Sequence, residues 1–171
     1  MTTSLKEMIT PQAVGAFGEK AVEAELLRHN WIPANVNATV KNAAKFDIYA
    51  VKGNRSVQIQ VKTCRPGMRA FLYGGFQPGK PITTKDVGRT EFTIIVRMGN
   101  QHEDDRFYVV PTFKAFEEIG KRQREHAKKG VKDIGMWRLS FAPLKNGHDA
   151  AGTDIERKWE KYLGSWDVLD K

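Results

Sequence analysis

The chain has 171 residues, of which 40% are hydrophobic and 28% are charged. This size and balance are typical of one globular domain with a real core, and they exclude a chain that is disordered at large scale. We find no run of about 18 apolar residues and no charged-then-apolar leader, so the sequence predicts neither a membrane span nor a signal peptide. The single cysteine, Cys64, excludes an internal disulfide and is typical of a reducing compartment, so we expect a cytoplasmic protein.

The positive charge is concentrated in two segments. The net charge is +8 and the pI is near 9.6, which favours an anionic partner. Each segment carries +4, so the other residues sum to zero. The basic residues of the first segment, 65–90, are Arg65, Arg69, Lys80, Lys85 and Arg89. Those of the second, 114–132, are Lys114, Lys121, Arg122, Arg124, Lys128, Lys129 and Lys132. Clustering of this kind is expected of a nucleic-acid footprint.

The first third of the chain predicts a helix, a short strand and a hairpin. A helix is expected from about Gln12 to His29, because apolar residues recur there at three- and four-residue spacing. Residues 30–44 predict a loop that ends in a short strand at Val40 and Lys41. Two strand-like runs in Lys45–Cys64 then flank a Gly-Asn pair at 53 and 54, which favours a tight hairpin turn.

The second part of the chain predicts further strands and helices around a sheet. Residues 65–90 are rich in Gly and Pro, so we expect a long loop or a loosely paired hairpin. The other predicted elements are strands at Glu91–Met98, Arg106–Pro111 and Trp137–Phe141, a helix capped by Thr112, a helix at Thr153–Leu163, and an apolar tail at Trp166–Leu169. The sequence therefore predicts a single mixed α/β domain over 1–171, with a core at about 12–111 and a helical C-terminal part at 112–171. Helices should flank its central mixed sheet.

The second strand of the hairpin has one apolar and one polar face. Side chains alternate along a strand, so the apolar Val57, Ile59 and Val61 share the face that belongs in the core. The polar face holds Gln58, Gln60 and Lys62. On the partner strand, Asp47 and Tyr49 point away from Phe46 and Ile48. An Asp, a Gln and a Lys can therefore meet on one patch of the sheet.

Three short motifs in this order resemble the PD-(D/E)XK nuclease superfamily, whose core is restriction-endonuclease-like. They are Gly18-Glu19 on the first helix, Phe46-Asp47-Ile48 on one strand and Gln60-Val61-Lys62 on the next. The resemblance covers about the first 65 residues by motif. It implies a metal-dependent DNA endonuclease that uses Mg²⁺ or Mn²⁺, with Asp47, Gln60 and Glu19 at the metal and Lys62 beside the attacking water or the transition state.

The sequence departs from the family pattern at two positions, and these departures leave open whether the site is active. Phe46 stands where the family has Pro, and Gln60 stands where Asp or Glu is commoner. A catalytically inactive nucleic-acid-binding module of the same fold is therefore an alternative. A second alternative is an interaction protein whose basic segments bind an acidic partner. The class of DNA substrate is also left open.

The remaining expectations concern contacts with DNA and assembly. We expect DNA contacts from Gln58 and from the basic residues Arg65, Arg69, Lys80, Lys85, Arg89, Lys121, Arg122 and Arg124. Cleavage of both strands of a duplex needs two sites, which favours a homodimer, although no pattern marks an interface.

Other candidate sites carry weaker signals. Cys64 and the four His show no zinc-ligand spacing. Gly15 and Gly18 lack the P-loop spacing and are expected to serve helix packing. The aromatic residues of the basic loop, Phe71, Tyr73 and Phe76, suit either base stacking or packing of the loop.

Overall fold

The structure is a computed structural model that describes residues 10–36, 46–141 and 154–171. Its elements in chain order are α1 (Pro11–Arg28), β1 (Ile32–Asn35), β2 (Ile48–Lys52), β3 (Arg55–Cys64), β4 (Ala70–Tyr73), β5 (Glu91–Arg97), β6 (Arg106–Pro111), α2 (Thr112–Lys128), β7 (Trp137–Ser140) and the single-turn helix α3 (Ile155–Lys158). Short 3-10 helices lie at His102–Asp104, Glu160–Tyr162 and Trp166–Asp170.

Five strands form one central mixed sheet in the order β1-β2-β3-β5-β6. The β3–β5 pair is parallel and the other neighbours are antiparallel. The predicted fold class, mixed α/β with a central sheet flanked by helices, is therefore confirmed. The predicted hairpin is also confirmed: β2 and β3 pair antiparallel, and Gly53 has a φ of +60° in the turn between them, which glycine adopts without strain.

Both faces of the sheet are covered. The face toward α1 holds one hydrophobic cluster, which includes Val22, Leu26, Ile48, Ile59, Ile94, Trp166 and Leu169. The opposite face holds a second cluster with α2 and the two-stranded β4–β7 sheet, which includes Tyr73, Ile95, Ile119, Trp137 and Phe141. Strand β5 lies between them and its first six residues are buried, which explains its near-continuous apolar sequence, interrupted by Glu91 and Thr93. No helix in the described ranges is long and apolar enough to cross a membrane.

Three predicted elements differ from the structure. The first strand is Ile32–Asn35, whereas the strand predicted at residues 40 and 41 lies outside the described residues. The segment 65–90 contains β4, which pairs with β7 and is therefore stabilised by a distant part of the chain. Thr112 does not cap α2. It is the first residue of that helix, and its hydroxyl lies 3.1 Å from the Thr93 hydroxyl.

The C-terminal part is less helical than predicted. The helix expected at Thr153–Leu163 is divided into α3 and a 3-10 helix, and residue 153 lies outside the described residues. The apolar tail packs as expected, since Trp166 and Leu169 are only 5% and 3% exposed.

Candidate functional site

One open groove brings together four of the predicted site residues. Glu19 of α1, Asp47, Lys62 of β3 and Arg65 all line a cavity of about 410 Å³. The first two turns of α1 form one wall of this groove, and the segment that leads into β4 forms another. The groove therefore contains two carboxylates and two cationic side chains.

The backbone fixes the Asp47 carboxylate against β3. Asp47 lies directly before β2, and its N–H donates to the carbonyl of Ile59 at 2.9 Å. Its side-chain Oδ2 accepts a hydrogen bond from the Val61 N–H at 2.7 Å. This bond orients the carboxylate along β3, and Asp47 itself lines the groove.

Lys62 is a partly desolvated cation beside that carboxylate. Burial lowers the pKa of Lys62, and the Asp47 charge opposes this shift. The Lys62 Nζ also lies 5.1 Å from the centre of the Tyr73 ring, within the range of a cation–π contact. The ammonium group is therefore held between an acid and an aromatic face, where its field is screened less than it would be at the surface.

Tyr73, whose ring contacts Lys62, is buried in the core. It is 2% exposed, and its hydroxyl lies 2.9 Å from the hydroxyl of Thr93. The pKa of Tyr73 is raised to about 12, mainly by burial and also by the nearby carboxylates of Glu91 and Asp47, while the hydrogen bond with Thr93 opposes the shift. The sequence left two roles open for this aromatic ring, base stacking or packing of the loop. The burial of Tyr73 favours packing. Phe71 is likewise buried, at 5% exposure.

Glu19 is oriented by a residue that the sequence did not single out. The Asn35 amide donates to Glu19 Oε2 at 2.9 Å and to Glu23 Oε1 at 2.9 Å. The approach of α1 to β3 is set at the preceding residue, Gly18, since a Cβ there would lie 1.7 Å from Thr63 Oγ1. The packing role expected for Gly18 is therefore confirmed, and the same contact brings Glu19 to the groove.

Neither of the two predicted glutamines lines this groove. Gln60 lines a neighbouring cavity of about 540 Å³, together with Tyr73 and Glu91, and its register partner on β5 is Thr93. Gln58 pairs with Tyr49 of β2. Within the described ranges, no group of three or more His, Cys, Asp or Glu side chains lies close enough to hold a metal ion. The candidate carboxylate ligands in the groove are thus Glu19 and Asp47.

The basic residues divide into exposed and buried positions. Six of those expected at DNA are exposed, namely Arg69, Lys80, Lys85, Arg89, Lys121 and Arg124, and Arg65 is half-buried in the groove. Arg122 differs, because it lies on the inner side of α2 and is only 2% exposed. This burial is at odds with the DNA contact that we expected from Arg122, since a phosphate cannot reach a side chain enclosed by the core.

Comparisons with known proteins leave the family open. No family model matches the chain, and no curated protein matches it. Among solved structures, a bacterial homing endonuclease is similar with 12% identity and a TM-score of 0.46, over 91% of this chain and 95% of that one. The protein MepB is similar with 11% identity and a TM-score of 0.36, over 82% of this chain and 94% of that one. Similarities with identities and TM-scores this low give no information about the site residues of this chain.

Proposed function

We propose that this protein is a metal-dependent DNA endonuclease that hydrolyses phosphodiester bonds in the groove lined by Glu19, Asp47 and Lys62. The observation that carries this proposal is the shared groove itself. Two carboxylates, a partly desolvated lysine and the half-buried Arg65 line it together. The resemblance of the three motifs to the PD-(D/E)XK superfamily supports the same function.

The donors in the groove fit a hard divalent cation. Mg²⁺ is typically held by one or two carboxylates together with substrate phosphates and water, and Glu19 and Asp47 meet that count. The amide oxygen of Gln60, which lies on β3 two residues before Lys62, is the candidate third ligand. A bound Mg²⁺ or Mn²⁺ would supply an activated water and neutralise phosphate charge.

The residues of the groove have distinct roles in the proposed hydrolysis. A water oxygen attacks phosphorus and gives up a proton to solvent, the bond from phosphorus to the leaving sugar oxygen breaks, and that oxygen takes up a proton from solvent, so one water is consumed for each bond. Lys62 donates a hydrogen bond to the phosphate oxygens as their negative charge grows, and its partly buried position strengthens that interaction. Arg65 binds a flanking phosphate, as Arg commonly does.

A plasmid-nicking assay with Mg²⁺ or Mn²⁺ tests the proposal. Asp47→Asn keeps an acceptor for the Val61 N–H but removes the charge, so the fold should survive while cutting is lost. Lys62→Met should reduce the rate by roughly 10²- to 10³-fold, as loss of an oxyanion donor does. Asp167→Asn and Lys161→Met, which change exposed C-terminal residues, are the matched controls.

The outcomes separate the candidate functions. Equal cutting by the wild type and both groove variants would show that the site is misassigned. DNA binding without cutting under either metal would favour the inactive module, which the glutamine at 60 makes a real alternative. Negligible DNA affinity even at low salt would favour an acidic protein partner. Direct appearance of linear plasmid would indicate two sites acting together, as in a homodimer.

A further inference from the structure

The β4–β7 pair is a two-stranded antiparallel ribbon with one buried face and one face that is open at the Leu72–Arg138 pair, although Ser140 on that same face is buried. Its register runs from Ala70 opposite Ser140 to Tyr73 opposite Trp137. The inner face is formed by side chains that are at most 5% exposed, namely Phe71, Tyr73, Trp137 and Leu139. This inner face anchors the ribbon to the core through large apolar side chains, so the ribbon is a rigid support for whatever its outer face presents.

The outer face of the ribbon presents a cation between apolar side chains. Leu72 is 52% exposed, and its register partner across the ribbon is Arg138, which is also exposed. Met136, just before β7, is 48% exposed, and it lies beside Gly74, where a Cβ would be 3.5 Å from the Met136 Cγ. An exposed Leu-Arg-Met face on a well-packed ribbon has no role in the core.

This outer face is continuous with the candidate site. Leu72 is itself a wall of the groove that holds Asp47 and Lys62. Directly opposite residues on an antiparallel pair lie about 5 Å apart, so Arg138 is one strand away from that wall. A polyanion that enters the groove therefore passes across the ribbon, whose arginine complements its charge.

We propose that the outer face of the ribbon lies in the major groove of duplex DNA and that Arg138 reads a base edge there. This inference rests on the proposed function, and it adds that the substrate is a duplex with a preferred sequence. The major groove admits a two-stranded ribbon, and Arg binds guanine O6 and N7 through two hydrogen bonds. Apolar side chains such as Leu72 and Met136 match the methyl group of thymine. Arg65, which lines the groove, supplies the sequence-independent phosphate contact.

The test is a binding selection from a pool of randomised duplexes, in buffer without Mg²⁺ or Mn²⁺ so that cleavage plays no part. The full chain and the Arg138→Ala, Arg138→Lys and Arg157→Ala variants are compared. Arg157 is the matched control, because its side chain is 80% exposed on α3, outside the ribbon. Circular dichroism confirms that each variant is folded.

We expect the wild type and Arg157→Ala to select the same motif. Arg138→Ala should lose its preference for guanine at one position by roughly 5- to 150-fold, the discrimination of one bidentate contact. Arg138→Lys should lose most of the same preference, because a point charge does not reproduce the paired donors. Wild-type binding without any sequence preference would overturn the inference.

A phosphate role for Arg138 gives a different pattern. All sequences would then weaken alike in Arg138→Ala, the log–log salt slope would fall by about 0.9, and Arg138→Lys would restore binding. That result overturns base reading by the ribbon while leaving the endonuclease proposal intact. Conversely, a selected motif that depends on Arg138 in a protein that never cuts would support the ribbon and overturn the catalytic proposal. Absence of DNA binding at low salt would overturn both.

Discussion

Gly18→Ala should separate α1 from β3 and weaken both the fold and the site. The new Cβ would lie 1.7 Å from Thr63 Oγ1, whereas ordinary contact begins at 3.4 Å. Rotation of the Thr63 side chain cannot relieve the contact, because its Cβ is itself 2.8 Å away. Even after the hydroxyl rotates away, the helix must move until the distance to the Thr63 Cβ grows from 2.8 Å to about 3.4 Å, and overpacking of this kind costs about 1–3 kcal/mol.

The matched control lies one helical turn earlier. A Cβ at Gly15 would have nothing within 4 Å, so Gly15→Ala should gain up to about 1 kcal/mol of helix propensity without a clash. Urea unfolding measures both variants. We expect Gly18→Ala to be less stable than the wild type and Gly15→Ala to be at least as stable. Since Glu19 and Lys62 adjoin the contact, nicking by Gly18→Ala should also fall. Equal stability of the two variants would refute the close contact between α1 and β3.

Two further predictions concern the buried Cys64 and the C-terminal tail. Burial raises the pKa of the Cys64 thiol from 9.0 to about 12. Near pH 8 the thiolate fraction of the folded chain should therefore be roughly a thousandfold below that of the urea-unfolded chain, and the rate of reaction with a disulfide reagent should fall by the same factor. The contribution of the protonated thiol to the free energy of unfolding should be complete below pH 9 and should be lost between pH 9 and 12, because only the unfolded thiol ionises there. Urea melts over an alkaline pH series measure this loss. The same pH dependence of the free energy of unfolding in the wild type and in Cys64→Ala would contradict it. Trp166→Ala removes a ring that is 5% exposed and stacks on His29 with a 5.3 Å centroid separation, so it should cost about 3–5 kcal/mol. Leu163→Ala, at a position 39% exposed, should cost under about 1 kcal/mol, and calorimetry of the two variants should show the difference.

Local patterns were sufficient to predict the elements that define the sheet centre. The β2–β3 hairpin has alternating side chains and a turn glycine within twenty residues, and β5 is a near-continuous apolar run, so both can be recognised without knowledge of distant contacts. Strand β4 could not be predicted in this way. Its Gly- and Pro-rich surroundings favour a loop, and its partner β7 begins more than sixty residues later. The ribbon beside the candidate site was missed for the same reason.

The site residues show the same division between local and distant information. The three motifs predicted Glu19, Asp47 and Lys62, which the fold brings to one groove, but Asn35 was missed because β1 itself was misplaced. The buried position of Arg122 is predictable from the sequence. Arg122 follows Ile119 by three residues and Ala115 by seven, and both are buried, so helical periodicity alone places it on the inner face of α2. The net charge of a segment does not show which face of a helix a basic residue occupies.

The placement of Gln60 gives a physical reason for an amide at that position. Glu91, which is 7% exposed, lines the same cavity, and Asp47 lies just before the strand that pairs with β3. A carboxylate at 60 would add a third negative charge to this partly buried neighbourhood and would be repelled by the other two. Gln60→Glu should therefore lower the melting temperature without metal and give a larger upward shift with Mg²⁺ than the wild type shows. Differential scanning fluorimetry over a Mg²⁺ titration measures both effects, and an Mg²⁺-induced shift equal to that of the wild type would show that Gln60 is not a ligand.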